Sequence, residues 1–163
     1  DLLIKKAEGF VTKPNKIYVE FSGSFSGFAI RASLITLADN SYMTNPLTGR
    51  WENVPRELSP LGFFDPPRGI AAMMSSVTNA TVEVAEGEVY IITGELPTEA
   101  LASLVGTTIK GSFVTVELTI DAANLHLLEV TVDGRVTVAE PNGTIRIIKL
   151  SRFNEEFTIE SPE

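Results

Sequence analysis

From Val114 to Asp121 the chain alternates without interruption: Val114, Val116, Leu118 and Ile120 are apolar, while Thr115, Glu117, Thr119 and Asp121 are polar. A period of two gives a strand one dry face and one wet face, so this stretch must lie in a sheet that something covers on one side. Most of the chain reads the same way. Asp1 to Thr12 is a strand ended by Lys13-Pro14-Asn15-Lys16, and Ile17, Val19 and Phe21 alternate after it. A loose Ser/Gly/Phe turn over Ser22 to Gly27 leads to a long strand from Phe28 to Leu37, then to shorter ones at Tyr42-Met43 and Arg50 to Val54. Val82 to Val84 and Val89 to Thr93 pair around Glu86-Gly87. After the alternating stretch come Leu125 to Asp133, Arg135 to Glu140, Thr144 to Phe153 and Phe157 to Ile159. The expected class is mainly β (α+β), a curled antiparallel sheet of roughly ten strands in one domain, 1–163.

Two helices interrupt the strands. Four prolines between Pro55 and Pro67 mark a connecting loop, and they lead into FFDPPRGIAAMMSSV, Phe63 to Val77. Asp65 is placed to cap this helix, with Pro66 and Pro67 supplying preset φ angles. Beyond Arg68 it carries no charge, and Ile70, Met73, Met74 and Val77 recur at helical spacing. Thr98 caps a second helix, Glu99 to Val105, with Gly106 as its stop and Leu101, Leu104 and Val105 as its apolar positions. A sheet of this size curls, and two short helices on its concave face do not fill the dry interior completely. The polarisable, flexible Met73 and Met74 suit the wall of such an apolar cavity.

Catalytic chemistry finds little support. The chain has no cysteine and a single histidine, His126, read as an ordinary strand residue, so neither a zinc site nor a nucleophilic triad is expected. No phosphate-binding glycine loop or calcium loop occurs, no cofactor is expected, and the acidic residues are read as solvating the surface. Tyr42, Tyr90 and Arg31 are the polar groups worth checking inside a cavity. A net charge of −8, with 13 basic against 21 acidic residues, argues against nucleic acid as a partner and against a polybasic membrane-binding surface.

Four segments in this order and spacing carry a resemblance: SYMTNPLTGRWENVP, FDPPRGIAAMMSSV with its Asp-Pro-x-x-Gly helix start, VYIITGELPTEALASLVG, and the closing LSRFNEEFTIESPE. Over nearly its whole length the chain resembles the LppX/LprA/LprF/LprG lipoproteins, relatives of the LolA and LolB carriers. The resemblance implies a half-barrel of antiparallel strands around helices, with no catalytic residues. It implies a carrier that binds the acyl chains of a lipid or lipoglycan in the bacterial cell envelope, at the outer face of the cytoplasmic membrane or in a periplasm-like space. The family pattern reaches the membrane through an N-terminal lipid anchor, followed by a tether and an amphipathic helix; these are absent from this chain. Carried over by position, Ile70, Met73, Met74 and Val77 supply one cavity wall and Leu101, Leu104 and Val105 the opposite one. Val116, Leu118 and Ile120 line the sheet side, and Trp51, Phe63 and Phe64 stand at the mouth. The alternative is an envelope scaffold or interaction domain with a fully packed interior.

Overall fold

The computed structural model describes residues 2–59, 69–85 and 88–162. The chain is mostly β, as expected, with ten strands in two open antiparallel sheets of five. The strands follow one another in space as they do in sequence. They divide into two compact units: Asp1–Asp65 together with Glu155–Glu163, and Pro66–Asn154.

In the first unit, β1 (Leu2–Thr12), β2 (Lys16–Phe25), β3 (Phe28–Leu37), β4 (Asn40–Thr44) and β5 (Trp51–Val54) lie side by side in that order. Ile17, Phe21, Ala32 and Leu34 form the buried cluster on one face, with Val11, Val19, Ile30 and Met43 packed against it. Thr36 lies on that face at the β3–β4 end and is fully enclosed. Its hydroxyl donates to Ser59 Oγ at 2.7 Å, and with its proton so committed it accepts from Ser41 Oγ at 2.9 Å. Burying a threonine is tolerable here because these two serines satisfy it. The expected loose turn over Ser22 to Gly27 shrinks to Ser26-Gly27, because β2 continues to Phe25 and pairs it directly with Phe28.

The segment Phe157 to Ile159, expected to complete a sheet, forms no strand; it crosses the opposite face of the first sheet as an irregular strap. Side-chain contacts hold it there in place of a ladder. Phe157 stacks on Phe10 with ring centroids 4.5 Å apart, Thr12 Oγ1 donates to the Phe157 carbonyl at 3.4 Å, and Ile159 is buried.

In the second unit, α1 (Ile70–Ser75) precedes β6 (Thr78–Ala85) and β7 (Val89–Pro97). A 3-10 turn, Thr98–Leu101, then runs into α2 (Ala102–Val105), followed by β8 (Phe113–Asp121), β9 (Leu127–Asp133) and β10 (Ile145–Lys149). The sheet order is β10-β9-β8-β7-β6. The alternating strand is its centre, with Val114, Val116, Leu118 and Ile120 buried as the pattern requires. Pairing builds dry rows across the sheet, one through Ile92, Leu118, Val130 and Ile148 and another through Gly94, Val116, Val132 and Arg146.

Arg146 therefore sits on the dry face of edge strand β10. Glu140, itself buried, neutralises it through Oε1, while Glu140 Oε2 accepts the amides of Val136 at 2.9 Å and Thr137 at 3.0 Å. Burial lowers the Arg146 pKa, since desolvation disfavours its charged form. The same carboxylate helps explain why Arg135 to Glu140 is not the expected strand: the amides of Val136 and Thr137 serve Glu140 rather than a neighbouring ladder. His126 likewise lies outside the expected strand. It sits in the turn before β9, where its amide donates to Asn124 Oδ1 at 2.8 Å and its ring stacks on Phe153 at 4.3 Å. β10 stops at Lys149, short of the strand expected to reach Phe153.

Removing one member of a buried pair strands the other charge, so Glu140→Ala should destabilise the protein by about 3 kcal/mol, measured as a fall in the denaturant midpoint. Glu140→Gln combined with Arg146→Leu removes the buried charges yet keeps an acceptor for the Val136 and Thr137 amides, and should cost much less than Glu140→Ala.

Candidate functional site

The apolar elements expected to carry function come together in the second unit. α1 has no charged side chain, and it starts after Gly69 with no side-chain cap. The expected cap and preset positions, Asp65, Pro66 and Pro67, lie outside the described residues, as do Phe63 and Phe64. Two serines close the helix early by turning back on it, Ser75 Oγ onto the Ala71 carbonyl at 2.9 Å and Ser76 Oγ onto that of Ala72 at 2.8 Å. Val77, expected as the last residue of the helical stripe, consequently falls beyond the helix and begins the approach to β6.

Val77 is seated by an absence on the facing strand. A Cβ placed on Gly94 of β7 would come within 2.5 Å of Val77 Cγ1 and 2.8 Å of the Thr78 carbonyl oxygen. Gly94 pairs with Val116, so the contact falls on the dry face of the sheet. Only a residue without a side chain lets this segment lie so close.

The second apolar group arrives through the 3-10 turn, which lies against both α1 and β7. Thr98 does not cap it as expected. Its buried hydroxyl donates to the Ile109 carbonyl and its amide donates to the Ser112 carbonyl at 3.0 Å, tying the turn to the segment that leads into β8. Glu99 reaches across to the same segment, where Oε1 accepts the Gly111 amide at 2.7 Å. That donation, above all, holds the Glu99 carboxyl below its ordinary pKa of 4.5. Gly106, with φ of 80°, stops α2 as expected.

Burial sorts the expected wall residues into two sets. Met73, Leu101, Val116 and Leu118 are at most 2% exposed, and Ile120 is 8% exposed. Ile70, Met74, Val77, Leu104 and Val105 are half-buried, an apolar fringe around the enclosed centre. Dry-face cover also thins toward the sheet edge, where Val82 of β6, the partner of Ile92, is 62% exposed. Trp51 stands apart, half-buried on β5 of the first unit.

Of the polar candidates, Tyr42 and Tyr90 are half-buried and Arg31 is exposed. No group of three or more His, Asp or Glu side chains able to hold a metal ion occurs among the described residues. Reading the acids as surface solvation missed Glu140 and Glu99, which hold backbone amides. Gly94 was missed too, although a glycine within an apolar strand is itself a sign that another backbone approaches closely.

The first unit holds a groove of about 240 Å³ between β1, β2, β3 and the C-terminal strap, lined by Phe10, Tyr18, Ile35, Thr158, Ile159 and Glu160. It is smaller than the roughly 300–1,000 Å³ of ordinary ligand pockets.

A family model described as LppX_LprAFG lipoprotein matches residues 1–159. Among solved structures, LprF from Mycobacterium bovis is similar at 18% identity with a TM-score of 0.69, covering 96% of this chain and 79% of that one. The Mycobacterium tuberculosis lipoprotein LppX is similar at 17% identity with a TM-score of 0.54, covering 98% of this chain and 88% of that one. A comparison with curated proteins gave no match.

Gly94→Ala should force Val77 or the Thr78 backbone to move, at a cost of about 1–3 kcal/mol in thermal or denaturant unfolding. A second outcome concerns pH. Because the Glu99 carboxylate is favoured in the folded state, its contribution is present above pH 4.5 and is lost as pH falls through the lowered value. Glu99→Gln should therefore flatten the decline of melting temperature with acid in that range, leaving the slope near neutral pH unchanged.

Proposed function

The chain belongs to the LppX_LprAFG lipoprotein family, and from that premise we propose that it is a non-enzymatic carrier that holds the acyl chains of a lipid or lipoglycan and moves them within a bacterial cell envelope. The observation that carries this reading is the uncharged helix α1 together with a fringe of apolar side chains, Ile70, Met74, Leu104 and Val105, that the protein leaves only half-buried. Acyl chains need no polar partner. At about 0.8 kcal/mol per buried CH₂, a chain of about 16 carbons gains on the order of 10 kcal/mol before ordering costs, so apolar contact alone suffices to hold it. A short helix containing two methionines is a wall that can repack around chains of different length. Loading in this reading means displacing Met73 from its enclosed position, and release means its return.

The enclosure of Met73, Leu101 and Val116 favours a second reading, an envelope interaction domain whose interior is filled by its own side chains. Native mass spectrometry separates the two. Protein purified from its own host should carry an adduct of acyl-lipid mass that organic extraction removes, and Met73→Lys should abolish the adduct in protein that still folds. Repeated absence of any lipid, together with a filled interior in an experimental structure, would overturn the carrier reading.

A further inference from the structure

The first sheet ends in an apolar tip. Ser26 and Gly27 both have positive φ, 49° and 85°, the geometry of a two-residue hairpin turn that sets Phe25 directly across from Phe28. Cross-strand partners share a face, so both rings lie on the side that carries Ile17, Phe21, Ala32 and Leu34. Ile4, the partner of Gly23, joins them there. Along the rest of this face those four residues are at most 9% exposed, whereas Ile4 is 51%, Phe25 56% and Phe28 78% exposed.

Charge is sorted behind the tip. Residues 2–7 and 21–38 contain Lys5, Lys6 and Arg31 and no acid, in a chain whose net charge is −8. Lys6, Ser22 and Arg31 form one row across β1, β2 and β3, on the face opposite the rings. The row lies three residues behind Phe25, about 10 Å along the strand. Lys5 occupies the bulge between Ile4 and Lys6. The next row on that face holds the first acids, Glu8 and Glu20 beside Ser33, and Glu8 pairs with Lys6 at 2.9 Å. Lys5 and Arg31 make no ion pair among the described residues.

We propose that this tip docks on an anionic phospholipid bilayer, with Phe25 and Phe28 entering the boundary between headgroups and acyl chains while Lys5, Lys6 and Arg31 meet the phosphates. The spacing fits, since an apolar face buried about 5–10 Å places groups some 10 Å behind it at headgroup level. Charge also favours an anionic lipid surface over a second copy, because the tip itself carries cations without acids while a second copy brings a net charge of −8 of the same sign as the first. Docking at this tip is independent of the cargo reading: it requires no internal cavity, and a cavity does not require it.

Co-sedimentation of the 163-residue chain with vesicles tests the proposal, using equimolar phosphatidylglycerol and phosphatidylcholine against phosphatidylcholine alone. With each unpaired cation contributing about fivefold at an anionic surface, binding to the mixed vesicles should be at least about tenfold tighter and should weaken with salt. The pair Phe25→Ser and Phe28→Ser should lose about tenfold or more on mixed vesicles. Lys5→Glu with Arg31→Glu should remove the lipid preference. Circular dichroism melts check the fold of each variant, and Phe28→Ser alone, at the most exposed position, serves if the double change unfolds the sheet. The proposal is overturned if the wild-type chain stays in the supernatant with mixed vesicles, or if the ring variants bind as it does. It is equally overturned if ultracentrifugation finds a dimer that the ring variants dissociate while neither form binds vesicles. An absent cargo in mass spectrometry leaves all these outcomes unchanged.

Discussion

The second sheet depends on the cover over one face of β8. Its four alternating apolar side chains are buried only because β7 and β9 extend the dry rows to either side and because α1 and the 3-10 turn pack within the same unit. Each fully buried Val, Leu or Ile is worth about 1.5–3 kcal/mol, so the central strand accounts for a large share of what marginal folding stability requires. Gly94 matters in proportion. A methyl group there would lift the Val77 segment away from the row that Val116 continues.

Polar groups on the dry faces are handled in two ways. Thr36 is neutral and is satisfied by two serine hydroxyls, a local solution that also fixes Ser59 at the edge of the proline-rich segment. Arg146 is charged, and Glu140 answers it while also holding two amides of the irregular connection between β9 and β10. One carboxylate thus sets the shape of a loop and permits a cation on a dry row. Such pairs add little net stability over an apolar replacement, but they penalise alternative registers severely, because a slip of one residue would leave the charge without its partner.

Periodicity made much of this legible. The strand count, the mainly β class, the burial of Val114 through Ile120 and the stop at Gly106 all follow from local pattern, since side-chain alternation and positive φ are properties of a few neighbouring residues. What local pattern does not encode is where a segment goes when side chains outcompete the ladder. Phe157 to Ile159 alternates well enough for a strand, yet the stack on Phe10 directs it to a different surface. Arg135 to Glu140 reads as extended until Glu140 turns back on its own amides. The expected wall residues were legible as apolar helix positions, but their division into enclosed Met73 and Leu101 and half-buried Ile70, Met74 and Leu104 depends on neighbours far along the chain.

The C-terminal strap also bears on how the protein is made. Thr12 and Phe157, joined by a hydrogen bond, are 145 residues apart, and the whole second unit is translated between them. The first unit is therefore discontinuous, and during synthesis its sheet emerges early but waits for its last contacts until the second unit has left the ribosome. Prior folding of the inserted unit replaces a long flexible loop with a compact one, which lowers the entropy lost when the strap closes. The unit that begins first is the one that finishes last.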